Sequence, residues 1–137
     1  MIVDTSALVA VLKSEAGSDK LLLALVDQAG WIPSPVLVEL RRVTKLAQNR
    51  PDPDVDAMLA VLNDAAIGIL AFDVSAAEAA AMGNAAYGTG NGRGGKLNML
   101  DLMVYGVAKA TGLPILCTGK DFIRTDALIH PASRRDV

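Results

Sequence analysis

Residues 98–117 read NMLDLMVYGVAKATGLPILC, and this stretch decides the fold class. Asn98 is a favoured helix N-cap residue, and the residues that follow it, through Ala110, are apolar on nearly every side, which predicts a buried helix. Gly112 predicts the end of that helix, because glycine is favoured just beyond a helix C-terminus. The apolar run Ile115–Cys117 then indicates a buried strand. A buried helix followed directly by a buried strand is typical of an α/β protein.

The same alternation extends towards the N-terminus. Further strands are predicted at Met1–Val3, Trp31–Ile32 and Ile67–Phe72, with a possible last strand near Leu128–His130. Further helices are predicted at Ala7–Lys13, from Ser18, from the cap Ser34 with Pro35 to about Asn49, from Asp52 or Asp54, and from the cap Ser75 to about Tyr87. Short apolar strands that alternate with helices predict a mostly parallel sheet covered by helices on both faces. No linker or repeat divides the chain, so we expect a single domain over residues 1–137.

Composition restricts the class of protein further. Hydrophobic residues make up 52% of the 137 residues but aromatic residues only 4%, which predicts an aliphatic core and argues against disorder. No apolar run reaches the roughly 18 residues that a membrane helix needs, and the N-terminus lacks the basic region of a signal peptide. One cysteine, Cys117, excludes an internal disulfide framework and a cysteine-rich zinc site. We therefore expect a cytoplasmic protein without a membrane segment.

Two acidic residues follow predicted strands. Asp4 comes directly after the first strand, and Asp121 lies four residues beyond the strand that ends at Cys117. In open α/β sheets, ligands bind beyond the carboxyl ends of the strands. We therefore predict that both carboxylates lie at that edge of the sheet, with a helix N-cap as the alternative role for Asp4.

Two further acidic residues lie on predicted helices among apolar side chains. Glu39 lies four residues before Val43, on or beside the predicted apolar face, where an unpaired carboxylate is unfavourable. Either Arg42 or a metal ion could compensate its charge. Asp101 is the only acidic residue of its helix and lies in the first turn, where the helix dipole favours an anion. A capping pair with Asn98 is the alternative role, and the two roles are compatible.

Four carboxylates that meet at one place would repel one another. Two unit charges about 4 Å apart interact by roughly 4 kcal/mol at an effective dielectric of 20. A cation must offset this repulsion, and an all-oxygen site in a chain with one histidine and one cysteine favours Mg²⁺ or Mn²⁺ over zinc. Such a site supports the attack of a metal-activated water on a phosphodiester. The net charge is −2, but with these four acids neutralised 13 basic and 11 acidic side chains remain, which permits nucleic-acid binding.

Three segments of the chain resemble a known family. They are the opening MIVDTSALVAVL, residues 34–43 (SPVLVELRRV), and residues 94–122 (GGKLNMLDLMVYGVAKATGLPILCTGKDF) with the RTD that follows at 124–126. In this order they are similar to PIN-domain ribonucleases, specifically the VapC-type toxins of prokaryotic toxin–antitoxin pairs. The resemblance implies a three-layer α/β/α sandwich with a mostly parallel central sheet and Mg²⁺-dependent endonuclease activity on RNA. It also implies a cognate antitoxin that folds over the active site, and a homodimer.

The resemblance also assigns roles to residues of this chain. Asp4 and Asp101 match the principal metal-binding aspartates of the family. Glu39 matches its helix glutamate, which supports the metal or activates water, and Asp121 matches the acid that precedes a phenylalanine. The positions where family members place hydroxyls near the metal are Thr5, Ser6 and Thr118.

Basic residues are weaker candidates for RNA contacts. These candidates are Arg41, Arg42 and Lys45, which follow Glu39, and Arg93 and Lys96 in the glycine-rich segment that begins at Gly88. A solvated surface without function is the alternative for each of them. The glycine-rich segment partly matches a phosphate-binding P-loop, but Leu97 stands where that motif needs Ser or Thr, which argues against an ATPase. His130 and Cys117 are expected to be structural.

Two other functions remain open from the residues alone. One is an RNA- or metal-binding module that keeps the acids but has no turnover. The other is an aspartyl-phosphate enzyme on a similar fold, with Asp4 or Asp73 as the phosphate acceptor. The phosphatase motif needs a second Asp two residues after the first, and Ser6 stands there.

Overall fold

The computed structural model describes residues 1–44 and 52–134. Helices and strands alternate along this part of the chain, as the sequence predicts. Its strands are β1 (Ile2–Val3), β2 (Gly30–Pro33), β3 (Ile67–Leu70) and β4 (Ile115–Leu116). Its helices are α1 (Thr5–Leu12), α2 (Ser18–Asp27), α3 (Ser34–Val43), α4 (Pro53–Asp64), α5 (Val74–Tyr87) and α6 (Met99–Thr111), and a short 3-10 helix covers Phe122–Arg124.

The four described strands form one parallel sheet in the order β3-β2-β1-β4. The chain moves from β1 to β2 to β3 in one direction and then crosses back to β4 on the opposite side of β1. Crossovers between parallel strands are right-handed as a rule, so this reversal of direction predicts α1–α4 on one face of the sheet and α5–α6 on the other. This is the predicted α/β/α arrangement, with an all-parallel sheet.

The central position of β1 explains why the N-terminal residues are so apolar. Ile2 and Val3 on β1, and Ile115 and Leu116 on β4, are completely buried. The chain leaves β1 towards one side and returns to β4 on the other, so the direction of winding switches between these two strands. The carboxyl ends of strands at such a switch point are where open α/β sheets bind ligands. The residues that follow β1 and β4 are therefore the first place to look for a functional site.

The two helices that cover the second face approach each other very closely. A Cβ built on Gly106 of α6 would lie 2.3 Å from the backbone oxygen of Ala76 and 2.8 Å from Cβ of Ala80, both on α5. A Cβ on Gly83 of α5 would lie 2.3 Å from the ring of Tyr105. The alanine- and glycine-rich composition of α5 is thus what allows α6 to pack against it, and α6 carries Asp101.

Several predicted element boundaries are confirmed and two predicted caps are wrong. Asn98 caps α6, and Gly112 follows that helix with φ of 71°. Ser34 does not cap α3 but lies inside it, where its hydroxyl accepts a hydrogen bond from the backbone N–H of Phe72 at 3.2 Å. Ser75 does not cap α5, because Asp73 occupies that position and accepts from the N–H of Ala76 at 2.9 Å. In both places a neighbouring residue occupies the N-cap position. Residue preferences alone do not decide which of several nearby residues will be the N-cap.

Other predicted elements lie near the C-terminus and in the middle of the chain. The expected strand near Leu128–His130 is reduced to an isolated parallel bridge between Ile129 and Ile115. Asp52, one of two candidates, caps α4. The predicted end of the third helix near Asn49 lies outside the described residues. Among the residues described, no helix has the length and apolar character needed to cross a membrane.

Candidate active site

A cavity of about 390 Å³ lies where the chain leaves β1 and β4, and we call it the acidic cavity. All four carboxylates singled out from the sequence line it, namely Asp4, Glu39, Asp101 and Asp121. Its other lining residues are Ser6, Val9, Glu15, Val43, Asn98, Thr118 and Phe122. None of these described lining residues is a lysine or an arginine. Residues from four separate segments of the chain therefore bring negative charge to one place, and the described part of the wall adds no positive side chain.

Asp4 is held in a fixed orientation by the residue two positions later. The backbone N–H of Ser6 donates to Oδ2 of Asp4 at 3.0 Å, and the Ser6 hydroxyl donates to the same oxygen at 2.5 Å. Asp4 thus also serves as the N-cap of α1, so the structural and the functional interpretation of this residue are compatible. Burial raises the pKa of Asp4, the hydrogen bonds from Ser6 oppose that rise, and the charge of Glu39 adds to it.

Asp101 forms a complete capping box with Asn98. The side-chain oxygen of Asn98 accepts from the N–H of Asp101 at 2.9 Å, and Oδ2 of Asp101 accepts from the N–H of Asn98 at 3.1 Å. Burial, together with the charges of Asp4, Asp121 and Glu39, raises the pKa of Asp101 to about 6, and the hydrogen bond from Asn98 opposes that rise. The charges of the other three carboxylates therefore act on Asp101, so the four carboxylates form one electrostatic cluster.

Glu39 and Asp121 are the other two carboxylates of the cluster. Glu39 is half-buried on α3, and among the described residues no ion pair joins it to Arg42, the partner considered from the sequence. Val43, predicted to lie on the buried face of the same helix, is 52% exposed and lines the cavity instead. Asp121 is exposed and stands at the N-terminus of the 3-10 helix, where its side chain makes no capping hydrogen bond to a described residue.

The three hydroxyl residues considered from the sequence occupy different places. Ser6 and Thr118 line the acidic cavity, and the N–H of Thr118 donates to the hydroxyl of Ser6 at 3.0 Å. Thr5 does not line it. Its side chain is buried, and its Oγ1 has no hydrogen-bond partner among the residues described.

The acidic side chains do not by themselves form a complete set of metal ligands. Within residues 1–44 and 52–134, no three Asp, Glu, His or Cys side chains are arranged so that they alone could hold a metal. The site would suit an ion that takes only one or two carboxylates directly and fills its remaining positions with water, which is how Mg²⁺ commonly binds. The chemistry of the wall agrees with a hard cation, because every charged side chain among its described residues is a carboxylate.

The basic residues considered as candidates for RNA contacts lie in three different places. Arg41 forms an ion pair with Asp56 at 2.7 Å and does not line the cavity, and Arg42 is exposed beside it. Lys45 lies outside the described residues. Arg93 and Lys96 line a second, smaller pocket that has Asp121 in common with the acidic cavity.

Some residues near the site had no signal in the sequence. Arg124 lines the second pocket, although nothing about its position in the chain connected it with Arg93. Glu15 lines the acidic cavity and pairs with Arg134 at 3.2 Å, so its charge is partly compensated. Asp73, the alternative phosphate acceptor, caps α5 and is not among the lining residues of the acidic cavity. His130 is buried away from it, hydrogen-bonded to Gln28, as expected of a structural residue.

Comparison with known proteins identifies the family of the chain. A family model described as the PIN domain matches residues 1–128. The chain is 37% identical to ribonuclease VapC42 of Mycobacterium tuberculosis, over 96% of this chain and 98% of that protein. It is 32% identical to a ribonuclease VapC of Mycolicibacterium smegmatis, over 95% of this chain and all of that protein.

Two solved structures have the same fold. One is a toxin–antitoxin complex from Klebsiella pneumoniae, with a TM-score of 0.66 and 17% identity over 95% of this chain and 96% of the other. The second is VapBC2 from Rickettsia felis bound to a fragment of promoter DNA, with a TM-score of 0.67 and 20% identity over 93% and 94% of the two chains. The PIN-domain model covers nearly the whole chain, and the chain therefore belongs to the PIN-domain family. Within it, the relatives of highest identity given above are VapC ribonucleases.

Proposed function

We propose that this protein is a divalent-metal-dependent endoribonuclease, the toxin component of a toxin–antitoxin pair. The observation that carries the proposal is the meeting of Asp4, Glu39, Asp101 and Asp121 in one cavity, where the other three charges help to raise the pKa of Asp101 to about 6. Such a concentration of carboxylates is unfavourable for stability alone. Perturbed carboxylates in a cavity are typical of a functional site.

Mg²⁺ is the proposed cofactor, and Mn²⁺ is a substitute. Asp4 and Asp101 would hold the ion directly, because both are fixed by hydrogen bonds to Oδ2 and both face the same cavity. Glu39 and Asp121 would support it through bound waters. When bound, the ion supplies a Lewis acid that activates water and stabilises negative charge on the phosphate.

The residues of the chain have distinct roles in the proposed reaction. Glu39 accepts the proton of the attacking water, because its carboxylate lines the cavity and no described basic side chain neutralises it. Water oxygen bonds to phosphorus, the bond from phosphorus to the leaving ribose oxygen breaks, and that oxygen takes up a proton from solvent water. Ser6 and Asn98 do not react. They keep the two metal-binding aspartates oriented.

The proposed partners are RNA, a cognate antitoxin and a second copy of the chain. Proteins of this fold have been solved as toxin–antitoxin complexes, which supports a cognate antitoxin as partner. The antitoxin is proposed to cover the acidic cavity. Exposed apolar side chains on α2 support self-association. They are Leu22, Leu23 and Val26. Light scattering should then give twice the 14.3 kDa of one chain, and co-purified antitoxin should suppress cleavage.

Cleavage of RNA with and without metal tests the proposal. The protein should cut a structured RNA in Mg²⁺ and stop cutting when EDTA is added. Asp4→Asn and Asp101→Asn should each reduce the rate at least about 100-fold, the loss of several kcal/mol of charge stabilisation, while both remain folded. Asp64→Asn, at the exposed end of α4, is the matched control and should cut normally. Metal and RNA binding without cleavage of any RNA would instead indicate a binding module, and stable phosphorylation of Asp4 or Asp73 would indicate an aspartyl-phosphate enzyme.

A further inference from the structure

A pocket of about 200 Å³ lies beside the acidic cavity, and its charge is opposite. Three cationic side chains line it, Arg93, Lys96 and Arg124, and we call it the basic pocket. Asp121 lines both the basic pocket and the acidic cavity, so the two are direct neighbours. Ligand pockets for drug-sized molecules occupy about 300–1,000 Å³, so the smaller volume suits a group such as one phosphate with part of its ribose.

The positive charges of the basic pocket are not compensated internally. Among the residues described, none of its three cations has a carboxylate within ion-pair distance, whereas Arg41, Lys109 and Arg134 are each paired. Of the described residues that line the basic pocket, only Asp121 is acidic. Unpaired cations gathered in a concave site raise the local concentration of anions. The basic pocket therefore attracts anions, and it lies next to the acidic cavity, which repels them.

The loop that carries two of the cations is held in one conformation. The side-chain oxygen of Asn91 accepts from the backbone N–H of Arg93 at 2.8 Å and of Gly95 at 3.1 Å, and its amide donates to the backbone oxygen of Ala85 at 3.2 Å. A Cβ on Gly95 would lie 2.2 Å from the backbone oxygen of Gly88. These contacts join the two ends of the loop.

Backbone contacts and glycine conformations complete the arrangement. The N–H of Thr89 donates to the oxygen of Leu97 at 2.8 Å, and the N–H of Leu97 donates to the oxygen of Tyr87 at 3.0 Å. Gly92 and Gly94 have φ of 75° and 77°, which other residues adopt only with strain. Arg93 lies between them, so its position depends on this turn. A preorganised loop loses less entropy when it binds a ligand.

We propose that the basic pocket binds the RNA phosphate next to the one that is cleaved. The inference rests on the proposed function, because it takes the acidic cavity as the place of cleavage. The basic pocket would offset the repulsion between the RNA backbone and the four carboxylates, and it would fix the strand relative to them. Guanidinium groups suit this task because their planar donors match phosphate oxygens.

RNA binding by an inactive protein tests this inference separately from catalysis. In the Asp101→Asn background, a fluorescent single-stranded 12-mer RNA remains intact, and its anisotropy reports affinity with Mg²⁺ absent. Lys96→Gln with Arg124→Gln removes two charges from the basic pocket. Lys13→Gln with Lys20→Gln removes two exposed charges from elsewhere and is the matched control.

The expected result is a fall in affinity of about tenfold or more in the basic-pocket variant and less than threefold in the control. The slope of log K against log[salt] should also become shallower by about 0.7, because one phosphate of the single strand is no longer neutralised. Asn91→Ala, which changes no charge, should weaken binding as well, because it releases Arg93. A thermal melt of each variant establishes that it is folded.

Two outcomes would overturn the inference. One is equal RNA affinity of the basic-pocket variant and the control. The other is unchanged RNA affinity with loss of binding to an oligoglutamate peptide, which would assign the basic pocket to an acidic protein segment. Neither depends on cleavage. A protein that shows the expected binding pattern but, with Asp101 restored, cuts no RNA would contradict the proposed function and leave the phosphate site established.

Discussion

The hydroxyl of Ser6 donates a hydrogen bond to Oδ2 of Asp4 at 2.5 Å. The same hydroxyl accepts from the backbone N–H of Thr118 at 3.0 Å, so one side chain joins the segments that follow β1 and β4. Those strands are neighbours in the sheet, and the acidic cavity lies beyond their carboxyl ends. Ser6 therefore links the geometry of the sheet to the orientation of a proposed metal-binding carboxylate.

Replacement of Ser6 by Ala should impair metal use more than folding. The variant removes the donor to Asp4 and the acceptor for Thr118, and such supporting hydrogen bonds are worth about 10–100-fold in metal affinity or activity. Measuring cleavage rate against Mg²⁺ concentration should show a rise of that size in the concentration needed for half-maximal rate. Ser75→Ala, at an exposed position of α5, is the matched control. Identical Mg²⁺ curves for both variants would mean that Ser6 does not position Asp4 for metal binding.

Stability of the metal-free protein should depend on pH through Asp101. Burial, with the neighbouring carboxylates, raises its folded-state pKa from 3.8 to about 6, so the folded state binds a proton more tightly than the unfolded state. The stabilising contribution is therefore present below pH about 4 and is lost as pH rises through about 6. Allowing for the partial exposure of this group, the effect is on the order of 1–2 kcal/mol.

Thermal melts from pH 4.5 to 7.5 in EDTA check this expectation. Burial lowers the pKa of His130. Its contribution to the free energy of unfolding is therefore lost as pH falls, opposite to the contribution of Asp101. Comparing the protein with its Asp101→Asn variant cancels that contribution, because His130 is present in both. The melting temperature of Asp101→Asn, relative to that of the wild type, should therefore increase as pH rises. A constant difference between the two melting temperatures would show that Asp101 does not titrate in this range.

Replacement of Gly106 by Ala should destabilise the fold despite the better helix propensity of alanine. The gain of about 1 kcal/mol from propensity is opposed by a Cβ only 2.3 Å from the backbone oxygen of Ala76, which cannot rotate away. Overpacking of this kind costs typically about 1–3 kcal/mol or more. Urea unfolding should show a net loss, with the midpoint shifted down. An unchanged or higher midpoint would mean that α5 and α6 can separate without penalty.

Replacement of Tyr105 by Phe should loosen the segment that follows the 3-10 helix. The Tyr105 hydroxyl donates to Oδ1 of Asp126 at 2.7 Å, and Lys109 holds Oδ2 of the same residue at 3.1 Å. Losing the first hydrogen bond should lower the free energy of unfolding by about 1 kcal/mol. Hydrogen exchange should increase around residues 122–127 while the sheet remains protected. Exchange that rises equally in β1 would point to global destabilisation instead.

The sequence predicts the order of elements and the meeting of four carboxylates in one cavity, because both depend on local signals. Asp4 follows a buried strand and Asp101 begins a buried helix, and each position fixes where the side chain must lie. The predicted caps of α3 and α5 are wrong, because Pro33 and Asp73 compete with nearby serines and tertiary contacts decide between them. The hydroxyl of Ser34, for example, accepts a hydrogen bond from Phe72, just beyond β3.

The basic pocket could not be predicted in the same way. Arg93 and Arg124 are brought together by the loop after α5 and the 3-10 helix after β4, and no local pattern relates them. The importance of Asn91 is likewise visible only when its three hydrogen bonds are known. A single sequence does not predict contacts between segments that lie far apart in the chain.

Anomalous diffraction from crystals soaked in Mn²⁺ would locate the proposed metal ion itself. We expect a peak between the carboxylates of Asp4 and Asp101, with Glu39 and Asp121 facing it, and no peak there in crystals of the Asp101→Asn variant. A peak elsewhere, or aspartates too far apart to share an ion, would contradict the proposed metal site and the cleavage chemistry that depends on it.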